Sequence, residues 1–143
     1  MLVAEVMHAC TIVAASQTVS EVAGIMEEHL TSSALVKKDE LVKGIVTERD
    51  ILRKVVAKGI NPDTTRVSDI MSSPLITIGE HASLYEASEM MDKHGIRRLV
   101  VTNGEQIVGI INTAIVSKNL RYITAREKLF IRPEYPLTEV NFF

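Results

Sequence analysis

Residues 11–54 read TIVAASQTVSEVAGIMEEHLTSSALVKKDELVKGIVTERDILRK, and 65 residues later residues 76–119 read ITIGEHASLYEASEMMDKHGIRRLVVTNGEQIVGIINTAIVSKN. The two stretches align without a gap and are identical at seven of 44 positions, whereas chance at ordinary composition gives about 2 to 3. The identical pairs are Glu21/Glu86, Met26/Met91, His29/His94, Val36/Val101, Glu40/Glu105, Gly44/Gly109 and Ile45/Ile110. An internal repeat of this length indicates that the chain contains two copies of one structural unit.

The residue pattern of the first copy predicts the element order strand, helix, strand, strand, helix. A short apolar strand at residues 11–13 precedes a helix that starts with Thr18-Val19-Ser20-Glu21, where a hydroxyl and a Glu three residues later form a capping box. The remaining elements are strands at residues 34–36 and 42–46 and a helix from Glu48 to Lys58 that ends at Gly59.

The second copy repeats this order. Its helix starts with the capping box Ser83-Leu84-Tyr85-Glu86, and Asn103-Gly104 indicates a tight hairpin. Its other elements are strands at residues 76–78, 99–101 and 107–111 and a helix from Thr113 to about Arg121. A unit this small would expose its sheet and helix faces alone, so we predict an α/β (α+β) fold in which two β-α-β-β-α units pack face to face.

Composition excludes several classes of protein. The chain has 143 residues, 46% hydrophobic and 24% charged, with a formal net charge of −2, which argues against a nucleic-acid binder. Its single cysteine, Cys10, cannot form an intramolecular disulfide and is interpreted as a small buried apolar residue. No uncharged apolar stretch is long enough to span a membrane, and residues 1–10 lack a signal peptide's basic start, so we expect a cytoplasmic protein.

Turn-forming residues and the repeat together divide the chain into four parts. Asn61-Pro62 and Ser73-Pro74 mark the junction between the copies. We expect a first motif at 4–60, a linker at 61–73, a second motif at 74–121 and a tail at 122–143. The tail holds five of the six aromatic residues, Tyr122, Phe130, Tyr135, Phe142 and Phe143. These rings either cover the tail's own domain or contact a second chain.

Two segments identify a family. Gly44-Ile45-Val46-Thr47-Glu48-Arg49-Asp50 and His94-Gly95-Ile96-Arg97-Arg98-Leu99-Val100-Val101, together with the repeat, resemble a tandem pair of CBS (cystathionine β-synthase) domains over about residues 4–121. The resemblance implies one module with a pseudo-twofold axis and two clefts that bind AMP, ATP or sometimes S-adenosylmethionine. It also implies that two modules associate as a disk, and that the module regulates another protein and is not a catalyst.

The residues of the first segment suit a nucleotide chemically. A carboxylate can accept hydrogen bonds from both hydroxyls of a ribose, and phosphate favours a helix start, a hydroxyl and an Arg. By resemblance, Asp50 would take the ribose, Thr47 and Arg49 would face the ribose-phosphate, and the adenine would lie near the first strand. The predicted nucleotide-binding residues are Thr11, Ile12, Ser32, Ser33, Ala34, Thr47, Arg49, Asp50, Arg97 and Arg98.

Other interpretations of these residues stay open. Thr47-Glu48-Arg49-Asp50 is also a capping box with Asp at its last position, which needs no ligand. Arg97 and Arg98 are either a solvated strand end or phosphate contacts in either cleft. In the second copy Asn112 and Ile115 stand where the first has Thr47 and Asp50, and an aliphatic side chain cannot accept a ribose hydrogen bond. We therefore predict one nucleotide site per chain.

We predict a regulatory module that binds an adenosine nucleotide, AMP first and ADP or ATP next, and signals to an unidentified partner protein. The alternatives are a structural module without nucleotide and one that binds S-adenosylmethionine. No catalytic motif is present, and neither His29 nor His94 has a metal ligand at the usual spacing, so we expect no enzyme, no metal and no required cofactor. Apolar side chains placed on the helix faces, Ile25, Met26, Met90 and Met91, predict a homodimer.

Overall fold

A computed structural model describes residues 1–119 and confirms the predicted element order in both copies. The first copy consists of β1 (Ile12–Ala14), α1 (Val19–Glu28), β2 (Ser33–Lys38), β3 (Leu41–Thr47) and α2 (Glu48–Ile51), which continues as a π turn (Leu52–Val56). The second consists of β4 (Thr77–Gly79), α3 (Leu84–His94), β5 (Arg98–Asn103), β6 (Gln106–Asn112) and α4, at 113–119. The predicted helix end at Arg121 and the tail at 122–143 lie outside the described residues.

Each copy forms its own three-stranded sheet, in the orders β1-β2-β3 and β4-β5-β6. In both, the first strand runs parallel to the second and the second antiparallel to the third. The register shifts at the same point in each copy, between Val36 and Lys37 and between Val101 and Thr102. The identical topology confirms that the sequence repeat is a structural repeat.

The helices begin where the sequence predicts. The Thr18 side chain accepts a hydrogen bond from Glu21 N, and the Ser83 side chain accepts one from Glu86 N. In return, each Glu side chain accepts from the backbone N–H of the capping residue, so two backbone donors are satisfied at each helix start. α3 ends at Gly95, whose φ of 62° is the left-handed conformation that glycine adopts without strain. The corresponding residue after α1, Leu30, also has a left-handed φ of 51° but carries a side chain that is 88% exposed.

The hydrophobic cores are completed by short segments from the other half of the chain. A 3₁₀ turn at Val3–Glu5 puts the fully buried Val3 into the core of the second copy, and a matching turn at Val67–Asp69 puts the fully buried Val67 into the core of the first. The chain ahead of β1 thus packs on the second copy, and the chain ahead of β4 packs on the first. Because of this exchange, neither copy has a complete core without the other's leading segment.

Glycine permits these segments to cross the sheets closely. A Cβ on Gly44 would lie 2.7 Å from Met71 Sδ and 2.8 Å from Ser72 O, and one on Gly109 would lie 2.8 Å from Met7 Sδ. Such distances are far below van der Waals contact. The identity of Gly44 and Gly109 in the repeat therefore follows from packing.

The helix residues that predicted a homodimer belong to the two cores or pack against them. Met26 and Met91 are only 4% and 3% exposed and belong to the two cores. Ile25 and Met90 are partly buried against the same cores. The helical spacing alone did not distinguish the core-facing side of α1 and α3 from an outer face, because spacing shows that a residue is apolar but not what covers it.

Candidate functional site

Two clefts lie where the copies meet. The first, which we call the carboxylate cleft, has a volume of about 580 Å³ and is lined by the end of β3 and the start of α2, by residues 72–76 and by residues 95–98. The second, the hydroxyl cleft, has a volume of about 620 Å³ and is lined by residues 8–11, residues 29–33, Arg98 and the end of β6. The 65-residue shift relates their walls, since residues 30–33 correspond to 95–98 and Asn112 corresponds to Thr47.

Asp50 gives the carboxylate cleft its name. Its Oδ2 accepts hydrogen bonds from Thr47 N at 3.0 Å and from Thr47 Oγ1 at 3.1 Å. The bond from Thr47 N, together with the bond from Asp50 N to Thr47 Oγ1 at 3.2 Å, forms the predicted capping box. Its Oδ1 lies 3.1 Å from Lys54 Nζ, and the side chain of Asp50 is only 13% exposed. A carboxylate offers about four acceptor positions, and three are therefore occupied by the protein.

Lys54 connects this carboxylate to the opposite wall. Its Nζ also donates to the backbone oxygen of Ile70 at 2.9 Å. Two residues later, Ser72 exchanges backbone hydrogen bonds with Ile45 of β3, at 2.8 and 3.0 Å. These contacts hold the chain where residues 72–76 begin, and those residues line the same cleft as Asp50.

Apart from Asp50, the charged side chains that line this cleft are all cationic. Four arginines line it, Arg49, Arg53, Arg97 and Arg98. Arg49 and Arg53 come from α2 and the π turn that follows it, and Arg97 and Arg98 lie at the start of β5. Because guanidinium groups bind phosphate by bidentate hydrogen bonds, this wall suits an anion with one or more phosphates.

The hydroxyl cleft has different chemistry. Its polar lining consists mainly of neutral side chains, including Thr11, Thr31, Ser32, Ser33 and Asn112, together with His8, His29 and Arg98. Thr11 Oγ1 and His29 Nδ1 lie 3.0 Å apart, within hydrogen-bond distance. Cys10 also lines this cleft, and its partial burial raises the pKa of its thiol. No Asp or Glu is among the residues that line it.

The structure does not bring the ten predicted nucleotide-binding residues into one cleft. Thr47, Arg49, Asp50 and Arg97 line the carboxylate cleft, whereas Thr11, Ser32 and Ser33 line the hydroxyl cleft. The buried Ala34 lies beside the hydroxyl cleft, in a small pocket with Thr11. Ile12 lines neither and faces a separate groove. The sequence could not show this division, because the wall opposite Asp50 comes from the other copy.

Arg98 is the one described residue that lines both clefts. Its Nη2 donates a hydrogen bond to Ser32 Oγ at 2.8 Å, across the boundary between the copies. Desolvation of the half-buried guanidinium lowers the pKa of Arg98, and the charge of Glu48 partly opposes this effect. The alternative of Arg98 as a solvated strand end is therefore excluded, whereas its neighbour Arg97 is exposed.

The second copy caps α4 without a carboxylate. Asn112 Oδ1 accepts a hydrogen bond from Ile115 N at 2.8 Å, in the position where Thr47 Oγ1 accepts from Asp50 N at 3.2 Å. Ile115 packs against the second core. The helix start is thus preserved in both copies, but the acidic side chain is present only in the first.

The carboxylate cleft is also lined by residues that were not among the predicted site residues, namely residues 72–76, Arg53, Gly95 and Ile96. A second repeat, at a different spacing, lies just ahead of residues 72–76 and could have indicated this wall. Val3-Ala4-Glu5-Val6-Met7 recurs as Val67-Ser68-Asp69-Ile70-Met71 at a shift of 64 residues. That shift marks the leading segments, which end at the two clefts.

Within residues 1–119, no cluster of three or more His, Cys, Asp or Glu side chains is arranged to hold a metal ion. None of the helices in this part of the chain has the length and apolar character needed to cross a membrane.

Comparison with known families matches the model described as "CBS domain" twice, at residues 3–57 and 67–122. An uncharacterised protein of Methanopyrus kandleri is 39% identical over 113 residues, which are 77% of this chain and 57% of that protein. The CBS domain-containing protein YhcV of Bacillus subtilis is 35% identical over 99 residues, which are 69% of this chain and 70% of YhcV. Tandem CBS domains are generally regulatory ligand-binding modules, and such module proteins are generally non-catalytic.

Solved structures share the fold. A protein with CBS domains from Burkholderia ambifaria superposes with a TM-score of 0.78 at 26% identity, covering 92% of this chain and 100% of that one. A hexameric CBS-CP12 protein from bloom-forming cyanobacteria superposes with a TM-score of 0.78 at 28% identity, covering 91% of this chain and 77% of that one.

Proposed function

The chain belongs to the CBS domain family, and on that premise we propose that it is a regulatory module that binds an adenosine nucleotide in the carboxylate cleft and signals its occupancy to a partner protein. The observation that carries the proposal is the position of Asp50. A nearly buried carboxylate lies at the junction of β3 and α2, in a cavity whose other side chains include four arginines. One cavity therefore offers an acceptor for a ribose diol and donors for phosphate.

A bound ribose would replace one of the hydrogen bonds that Asp50 now accepts from the protein. Asp50 has about one free acceptor position, and a vicinal diol needs two. Binding therefore requires that Thr47 Oγ1 or Lys54 Nζ release its contact with the carboxylate. Release of Lys54 would alter the link to Ile70, which offers a route from occupancy to the packing of the two copies.

The phosphate chemistry favours nucleotides over the other known class of ligand. S-adenosylmethionine carries a sulfonium cation, which four guanidinium groups and Lys54 would repel. AMP places two negative charges among them, and ADP or ATP would place more. We therefore keep AMP as the first ligand to test, with ADP and ATP next.

A structural module without nucleotide remains the second candidate, and a specific observation favours it. The bonds from Thr47 and Lys54 satisfy Asp50 without any ligand, as the capping-box interpretation requires. In that case Asp50 stabilises only the start of α2.

Calorimetric titration of the purified full chain with AMP, ADP, ATP and S-adenosylmethionine separates the two candidates. We expect binding of the adenosine nucleotides at one equivalent per chain, because the hydroxyl cleft has no carboxylate. Two equal sites per chain would show that the second cleft binds nucleotide even though the second copy has Ile115 where the first has Asp50. Absence of binding by all four compounds would leave the structural module.

We also propose that two chains associate as a homodimer. Exposed aliphatic side chains recur every four residues after α2, at Leu52 (59% exposed), Val56 (65%) and Ile60 (44%). Apolar surface of this kind is often covered in oligomers. Sedimentation of the full chain, the Leu52→Glu/Val56→Glu variant and a chain lacking residues 122–143 tests this. We expect the dimer to survive the deletion and dissociate in the variant, and a monomeric full chain would contradict it.

A further inference from the structure

We propose that the hydroxyl cleft is a second site, which takes a small oxyanion of the phosphate type and shares Arg98 with the carboxylate cleft. The effect of this anion on nucleotide binding rests on the proposed function, whereas the anion site itself does not. The two clefts would thus hold different ligands, and one guanidinium would couple them.

The fixed charge in the lining of the hydroxyl cleft is positive. Arg98 is the fixed positive charge among the residues that line it, and none of those residues is an Asp or a Glu. A nucleoside diol would find no carboxylate to accept its hydrogen bonds, whereas an oxyanion would find a half-buried cation. Burial of this cation away from bulk water strengthens its attraction for an anion.

Neutral hydrogen-bond donors line the hydroxyl cleft together with Arg98. The hydroxyls of Thr11 and Ser32 and the amide of Asn112 line the same cleft. Ser32 Oγ already contacts Arg98 Nη2 at 2.8 Å, so a hydroxyl and a guanidinium are held side by side. A tetrahedral oxyanion accepts hydrogen bonds from such a mixed set of donors.

The coupling follows from the position of Arg98 in both walls. An anion in the hydroxyl cleft and a nucleotide phosphate in the carboxylate cleft would draw on the same guanidinium. Two anions on either side of one cation also repel each other. Each should therefore weaken the binding of the other, and the coupling must be reciprocal.

Cys10 provides a reporter for the site, because it is the single cysteine of the chain and lines the hydroxyl cleft. The rate of its alkylation by iodoacetamide is measured by mass spectrometry on the full chain while inorganic phosphate replaces chloride at constant ionic strength. We expect alkylation to slow by about tenfold once phosphate exceeds its Kd tenfold, because only the empty fraction reacts. Arg98→Ala should remove this protection.

Arg97→Ala is the matched control, because Arg97 precedes Arg98 and lines only the carboxylate cleft. It should keep the protection by phosphate. Arg98→Gln and thermal unfolding of each variant guard against loss of the fold. The anion site would be overturned if phosphate did not slow alkylation of the wild-type chain. It would also be overturned if phosphate protected folded Arg98→Ala and Arg98→Gln as well as it protects the wild type.

The coupling is tested by repeating the phosphate titration with AMP and with adenosine. AMP should raise the phosphate concentration that gives half-protection by about fivefold or more, and adenosine, which lacks a phosphoryl group, should not. If AMP fails to bind, the proposed function fails while the phosphate result stands. If a second equivalent of AMP protects Cys10, the hydroxyl cleft is a nucleotide site and the proposal is wrong.

Discussion

The carboxylate cleft and the hydroxyl cleft are built from equivalent positions of the repeat, yet they present different chemistry. Where the first copy has Thr47 and Asp50 in the carboxylate cleft, the second copy has Asn112, which lines the hydroxyl cleft, and Ile115, which packs against the second core. Both pairs begin a helix, and both caps form. The cap needs only a side-chain oxygen at its first position, so the structural role is preserved in both copies. The carboxylate of Asp50 adds to the first cap but is not required for a cap, since α4 begins without one, and it keeps about one acceptor position free for a ligand.

The largest expected difference between the clefts is in nucleotide affinity. Asp50→Ala should weaken AMP binding by about 2–4 kcal/mol, or roughly 30- to 900-fold, because charge-assisted bonds to the ribose are lost. Folding stability should fall by about 0.5–2 kcal/mol through the weakened cap. Calorimetric titration and chemical denaturation measure the two effects.

Asn112→Ala is the matched control for this comparison. It removes the cap of α4 and should reduce stability by a similar amount while AMP affinity stays unchanged. Equal AMP affinity in wild-type and folded Asp50→Ala protein would remove the ribose role and leave Asp50 as a cap alone.

An intermediate effect is expected at the two glycines under the leading segments. Gly44→Ala and Gly109→Ala should each destabilise the fold by about 1–3 kcal/mol, because the new methyl groups clash with Met71 or Met7 and with backbone oxygens. Denaturant unfolding measures both.

The two glycine variants should differ in function. Gly44→Ala displaces residues 71 and 72, which lead into the wall of the carboxylate cleft, so AMP affinity should fall as well. Gly109→Ala displaces residues 7 and 8, at the hydroxyl cleft, and should leave AMP affinity intact. The opposite pattern would mean that the nucleotide binds beside residue 8.

The smallest expected effect is at the ends of α1 and α3, which also border the two clefts. Leu30→Gly should stabilise the chain by about 0.5–1 kcal/mol, because a left-handed φ of 51° is strained for leucine. Gly95→Ala should cost about 1 kcal/mol through the backbone alone, since no atom lies within 4 Å of the added Cβ. Thermal unfolding compares them, and a destabilised Leu30→Gly protein would show that the exposed leucine makes a stabilising contact.

Much of the fold was predictable from local signals. The capping residues Thr18 and Ser83, the glycine after α3 and the alternation of apolar residues placed both helices and strands within a few residues of their observed ends. Met26 and Met91 were misplaced, because helical spacing shows that a residue is apolar but not which neighbour covers it. The continuation of α2 as a π turn had no signal in the sequence.

The sequence predicted which residues line the clefts better than it predicted which residues share a cleft. Thr47, Arg49 and Asp50 do share a cavity, and Arg97 and Arg98 join them. Thr11, Ser32 and Ser33 face the other cavity, although Ser33 pairs with Thr47 across β2 and β3. The assignment to one cleft assumed that residues near each other in one copy share a site.

The sequence by itself determined the repeat, the order of elements and the absence of an acidic side chain at position 115, because each of these depends on residue types at fixed spacings. Only the tertiary structure decided which segments face each other. Val3 completes the second core and Val67 the first, so each cleft takes its walls from both copies. That exchange places Arg98 between the clefts, because contacts between residues distant in the chain depend on how the copies pack rather than on the pattern within either one.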